Sequence, residues 1–238
     1  MNGFAKVGLA KVGFLALLFC LVGAAKNPDV IESSKAERDQ PLTVDPASLF
    51  WQGAHPVFLE KDKLGKPDPH FRAEVRSRWT GHNLYFLFIC PFDELSLKPA
   101  PNTQQETYEL WNWDVAEVFI GSDFDHIDRY KEFEVSPQAE WVDLDIDLRK
   151  PHHEEGWVWN SGFEKTARID REAHIWYAAL RIPFSAIDHR PAKEGNTLRI
   201  NLFLSEGPAS NHHELAWQPT MKESFHVPEV FGSIRLAK

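Results

Sequence analysis

From about residue 72 to the end of the chain, short stretches of alternating or unbroken hydrophobicity follow one another, separated by turn residues. Arg72 to Thr80 sets charged residues against Ala73, Val75, Ser77 and Trp79, which predicts a strand with one wet face. Gly81-His82-Asn83 turns it into Leu84 to Cys90, apolar on both faces, so the pair reads as a hairpin whose second strand is central. Val115 to Ile120 repeats the two-sided pattern except at Glu117. Trp141 to Leu148 alternates strictly, which predicts Val142, Leu144, Ile146 and Leu148 inward and Asp143, Asp145 and Asp147 outward. Trp157-Val158-Trp159 is expected to open a strand running through Phe163 and Ile169. His174 to Ile182 gives a further strand that Pro183 ends, and Phe184 to Ile187 suits one helical turn. Leu198 to Leu204 separates Leu198, Ile200, Leu202 and Leu204 from Arg199 and Asn201, and Gly232 to Leu236 is the last strand. About ten short strands with few helical stretches predict an all-β fold, a single β-sandwich of jelly-roll type.

The first residues follow another rule. Lys6 and Lys11 precede an apolar run from Val12 to Val22 and the small residues Gly23-Ala24-Ala25, the order of a secretory signal, and the run is too short to span a bilayer. The expected organisation is a signal peptide over 1–25, a polar linker or extended arm over 26–40 and one sandwich domain over 41–238. The mature chain should be secreted or periplasmic, with no transmembrane segment. Phe19 before Cys20 disfavours a lipoprotein cleavage site, which needs a small residue there. Cys90 is then the one cysteine of the mature chain, so no internal disulfide can form.

Formal charge is −9 for 238 residues, and loss of Lys6 and Lys11, with no acid in the leader, lowers it by two to −11. No basic cluster follows a phosphate backbone, which argues against nucleic acid, and anionic membranes are disfavoured by the same charge. A neutral glycan meets no such penalty.

Candidate chemistry gathers at Leu110-Trp111-Asn112-Trp113-Asp114-Val115-Ala116-Glu117-Val118-Phe119-Ile120. The faces of a pyranose carry C–H groups that stack on aromatic rings, and its rim of hydroxyls suits carboxylates. Trp111 and Trp113, at i and i+2, fit either a stacking platform or a core face; Asp114 and Glu117 favour a site, because carboxylates in an apolar strand need partners. Asp123, Asp125 and Asp128 lie close enough in one loop to hold Ca²⁺, without the spacing of an EF-hand; a merely solvated acidic loop is the alternative, and the one the missing spacing favours. His152-His153-Glu154-Glu155 lacks a second cluster at zinc spacing.

Three motifs in order carry a resemblance: Trp111-x-x-Asp114-x-x-Glu117-Val118-Phe119-Ile120, then Tyr130-x-Glu132-Phe133-Glu134-Val135-Ser136-Pro137, then Phe225-His226-x-Pro228-Glu229-x-Phe231-Gly232. Over roughly residues 40–238 the chain resembles the family-nine carbohydrate-binding modules of bacterial secreted proteins. The resemblance implies a β-sandwich that holds an oligo- or polysaccharide between two tryptophans, often with structural calcium, in recognition or catabolism of polysaccharides. By that pattern Trp111 matches the first clamping tryptophan, Glu117 the sugar-binding glutamate and Trp217 the second tryptophan. Glu134 stands where the pattern has a basic residue, a departure that bears on specificity. A glycoside hydrolase, or an accessory domain of one, is the alternative; it would need two converging carboxyls about 5–9.5 Å apart, whereas Asp114 and Glu117, at i and i+3, point to opposite faces of a strand. A haem-binding redox sandwich would need axial ligands, and Met221 is the one methionine of the mature chain.

Overall fold

A computed structural model describes Met1 and residues 29–69, 71–208 and 210–238. The expected signal peptide, including Cys20, lies outside these residues. The strands, in chain order, are β1 (Val30–Lys35), β2 (Val57–Leu59), β3 (Lys61–Asp62), β4 (Ala73–Trp79), β5 (Asn83–Pro91), β6 (Val115–Gly121), β7 (Arg129–Val135), β8 (Trp141–Asp147), β9 (Glu164–Asp170), β10 (Ile175–Pro183), β11 (Thr197–Glu206), β12 (His213–Ala216) and β13 (Gly232–Leu236). They form a β-sandwich. One sheet runs β8-β7-β6-β11-β13-β1, with β12 also on β11; the other runs β1-β4-β5-β10-β9. β1 joins the two, since Val30–Ser33 pair in parallel with β13 and Ser34–Lys35 with β4. The segment expected as linker or arm therefore contains the strand that closes the sheets on each other.

Between the sheets lies the main core. Ala116, Val118 and Ile120 of β6, Leu198, Ile200, Leu202 and Leu204 of β11, and Phe133 of β7 meet Leu84, Phe86 and Phe88 of β5 and Trp176, Ala178 and Leu180 of β10. β5 and β6 are central, paired on both edges, as their two-sided hydrophobicity requires. The hairpin of β4 and β5 and the helical turn Phe184–Ile187 form as expected.

Two expectations change. The segment Trp157-Val158-Trp159 does not open a strand: residues His153–Val158 form a 3-10 helix laid against β8, and β9 begins only at Glu164. Val142, Leu144 and Ile146 are buried, but on the outer face of the first sheet, in a second apolar cluster with Phe119, Tyr130 and Phe203. The side predicted to be wet is mixed: Asp143 is buried and accepts the Ser161 N–H at 2.6 Å, while Asp145 is exposed and pairs with Lys131. Alternation tells which residues share a face of β8; it cannot tell which face meets the main core when loops cover the other.

Candidate functional site

That covered outer face carries the candidate site. On β6 the outward positions are Val115, Glu117 and Phe119, and register places Glu134 of β7 directly opposite Glu117 and Glu132 opposite Phe119. From β11, Phe203 lies opposite Glu117 and Ser205 opposite Val115. Three segments rise around this patch: the loop before β6 with Tyr108 and Trp111, the 3-10 helix with His153 and Trp157, and the tail with Phe225 and His226. They enclose a cavity of about 430 Å³ with Glu117, Glu132, Phe119 and Ser205 in its lining.

The walls are aromatic. Tyr108 sets its ring edge-on to Trp111 at 5.4 Å between centroids and lies 5.2 Å from Trp157, and Phe225 stacks on Phe203 at 4.1 Å. Glu109, between Tyr108 and Trp111, is held at φ 59°, in the left-handed region that non-glycine residues enter at a cost. That conformation turns the chain into the short 3-10 helix Leu110–Asn112, which brings Trp111 to the cavity.

Two glutamates, Glu117 and Glu132, line the floor, and a third, Glu134, is buried against them just outside the lining. Among the described residues, Glu117, Glu132 and Glu134 are a set of acidic side chains whose ligand atoms lie within 4.8 Å of one another, and all three are buried. Glu117 is 3.4 Å from the Ser205 hydroxyl, which can donate to it. Apart from each other, Glu134 and Oε2 of Glu132 meet no hydrogen-bond donor. Burial first, and then the charge of neighbouring carboxylates, pushes the Glu117 and Glu134 carboxyls well above the ordinary range, and burial raises Glu132. Nearby cations are committed elsewhere or neutral. Arg199, on the same face of β11, donates to the Ile127 and Pro228 carbonyls. His226 approaches Glu132 at 4.0 Å, but burial and then His153 push its pKa down to about 4, so near neutral pH the ring is uncharged, with Nδ1 2.6 Å from the Tyr130 hydroxyl.

The residues singled out from sequence take separate places. Trp111 and Glu117 come together at the cavity. Trp113 is half-buried and lies off its lining. Asp114 is buried and accepts the Ser96 and Gly207 N–H groups, each at 2.8 Å; its carboxylate ties the long loop after β5 to the end of β11, and burial raises its pKa to about 7. Trp217 is 1 % exposed and belongs to the main core rather than to the cavity lining. Its ring lies so close to Gly232 that an added Cβ would fall 2.6 Å from two ring carbons, which gives the glycine of the third motif its physical reason. Asp123 accepts the backbone N–H groups of Asp125 and His126 and faces the His126 ring at 2.9 Å, bonds that lower its pKa to about 2; Asp128 faces Arg149 at 3.1 Å, and Asp125 is exposed. A calcium ion there would have to take oxygens from these partners.

Sequence reasoning named Glu117 but not its floor partners as site residues. The available signal was a pair of carboxylates at i and i+2 in a strand otherwise apolar, Glu132 and Glu134; what joins them to Glu117 is strand register, which no local pattern prints.

A two-sheet sandwich with an aromatic, acid-floored cavity on one outer face defines a ligand-binding module. The chain belongs to the carbohydrate family 9 binding domain-like family, whose model matches residues 46–238. Solved structures agree on the fold. A Bacteroides uniformis protein assigned to carbohydrate binding superposes with a TM-score of 0.67 at 18 % identity, covering 87 % of this chain and 98 % of that one. A family 9 carbohydrate-binding module from Caldicellulosiruptor kristjanssonii in complex with cellotriose gives 0.61 at 14 % identity over 87 % and 93 % of the two chains, and the same kind of module in complex with glucose gives 0.62 at 13 % over 88 % and 96 %. No curated protein matches the sequence.

Proposed function

We propose that this protein is an exported glycan-binding module whose saccharide lies in the cavity over β6 and β7, with one pyranose ring against Trp111 and hydroxyls donating to Glu117. The observation that carries the reading is the convergence of half-exposed indole and phenol rings with buried carboxylates in one cavity of sugar size. Family membership and the sugar-bound Caldicellulosiruptor modules support it. Binding of this kind serves to hold a polysaccharide near enzymes that degrade it, outside the cytoplasm.

Calorimetric titration of the wild type and Trp111→Ala with a panel of soluble oligosaccharides tests the proposal, with melting curves run alongside. Loss of the platform should weaken binding by about 1–3 kcal/mol, the contribution of a large apolar side chain. A sharp fall in melting temperature with unchanged affinity for a confirmed ligand would place Trp111 in the core and refute the site.

A further inference from the structure

The floor of the cavity is far more acidic than a neutral sugar needs. Hydroxyls require acceptors, and one ionised or neutral carboxyl with a serine supplies several. Here Glu117, Glu132 and Glu134 are crowded within 4.8 Å, all buried, and three of their oxygens meet no donor outside the cluster. Buried carboxylates are costly unless paired with a cation or hydrogen-bonded. Without a cation beside it the cluster can lower that cost only by retaining protons, which agrees with the raised pKa values. Among the described residues lining the cavity there is no lysine or arginine, and four further acids, Glu109, Glu154, Glu214 and Glu223, stand around it. Lys63 outside the lining holds Glu214 at 2.5 Å and Glu223 at 3.0 Å, leaving the floor uncompensated.

On the reading that this cavity binds a glycan, we infer that its ligand carries a protonated amino group, as in a glucosamine-type oligosaccharide, with the ammonium seated at Glu117 and Glu132 and backed by Glu134. An ammonium presents three N–H donors from one centre, which suits three acceptors clustered at this spacing. Charge-assisted bonds of this kind are about twice as strong as neutral ones. The rest of the sugar then occupies space that a bare metal ion would leave to water: about 430 Å³, walled by Trp111, Phe119 and Phe225. The surrounding acids attract a polycationic chain to the mouth of the cavity.

The test is titration of the full chain, in chelator near pH 7, with the glucosamine tetramer, its N-acetylated counterpart and the cellulose tetramer. The amino sugar should bind about tenfold or more tightly than either neutral chain, and its enthalpy should vary with the ionisation enthalpy of the buffer, because seating a cation drives protons off the cluster. A Glu132→Gln/Glu134→Gln double variant that retains its melting transition should bind the amino and N-acetylated chains nearly equally. Equal or tighter binding of a neutral tetramer by the wild type overturns the inference and leaves the glycan site standing. Failure of every oligosaccharide to bind overturns both. Saturable calcium binding that Glu134→Gln abolishes, with no preference for the amino sugar, overturns the inference in favour of a metal.

Discussion

Glu134→Gln should make the protein more stable at mildly alkaline pH while altering the acidic layer behind the proposed glycan site. Glu134 is wholly buried and its oxygens meet no donor beyond the neighbouring Glu132 carboxyl. Burial, reinforced by Glu117 and Glu132, raises its folded-state pKa, so the folded state favours the protonated form. A raised carboxyl pKa contributes stability fully present below the unfolded value near pH 4.5, and that contribution is lost as pH rises towards the folded value. Near pH 8, about 3.5 units above the ordinary glutamate value, holding the proton costs up to about 5 kcal/mol at about 1.4 kcal/mol per unit. Glutamine keeps the shape and can donate to Glu117 or Glu132, but its amide has a burial cost of about 1–2 kcal/mol. The net gain should be at most about 3–4 kcal/mol, a rise of up to about 6–16 °C in melting temperature for a domain of this size. Near pH 4 the carboxyl is largely protonated in both states, so only the amide's burial cost remains and the variant should be no more stable than the wild type. Thermal scans of both proteins between these pH values read the effect directly. A variant less stable than wild type at pH 8, or a difference that does not grow with pH, would show that Glu134 has a stabilising partner and refute the reasoning.

The pH profile of the wild type should slope the same way for a second reason: burial raises Asp114 to about 7 and Glu206 to about 9, so stability should fall as pH rises from about 5 through 9, and thermal scans showing a rise would contradict it. Asp114→Ala removes the acceptor for the Ser96 and Gly207 N–H groups and should cost about 1–3 kcal/mol, with faster limited proteolysis in the loop after β5; unchanged cleavage there would argue against the tie. Calcium held by the 123–128 loop would bind the folded state alone and raise the melting temperature. The rise should vanish in Asp123→Asn, and equal melting in excess calcium and in chelator would remove the ion. Export should leave a mature protein beginning after Ala25; N-terminal sequencing that finds Met1 on the exported protein would overturn it.

The central strands were legible because Leu84 to Cys90, and Val115 to Ile120 apart from Glu117, are apolar on both faces, which points to a position covered on both sides. The 3-10 helix at His153–Val158 was not, since Trp157 and Trp159 also suit a strand and the turn is stabilised by contacts with β8 rather than by local pattern. Trp111 and Glu117 stood out in the sequence and share the cavity. Trp217 did not follow, because an indole beside a strand looks the same whether it faces the core or solvent; the deciding contact is Gly232, across the chain fold. The acidic floor escaped for a similar reason: Glu134 meets Glu117 only through the antiparallel register of β6 and β7.

A crystal structure of the protein soaked with an oligosaccharide that calorimetry shows to bind tests the account most directly. Density is expected for a pyranose ring in the cavity over β6 and β7, one face against Trp111 and polar atoms within hydrogen-bond distance of Glu117. Saccharide density elsewhere with this cavity empty, for instance in the cleft lined by Asp123, Trp159 and Arg190, would contradict it.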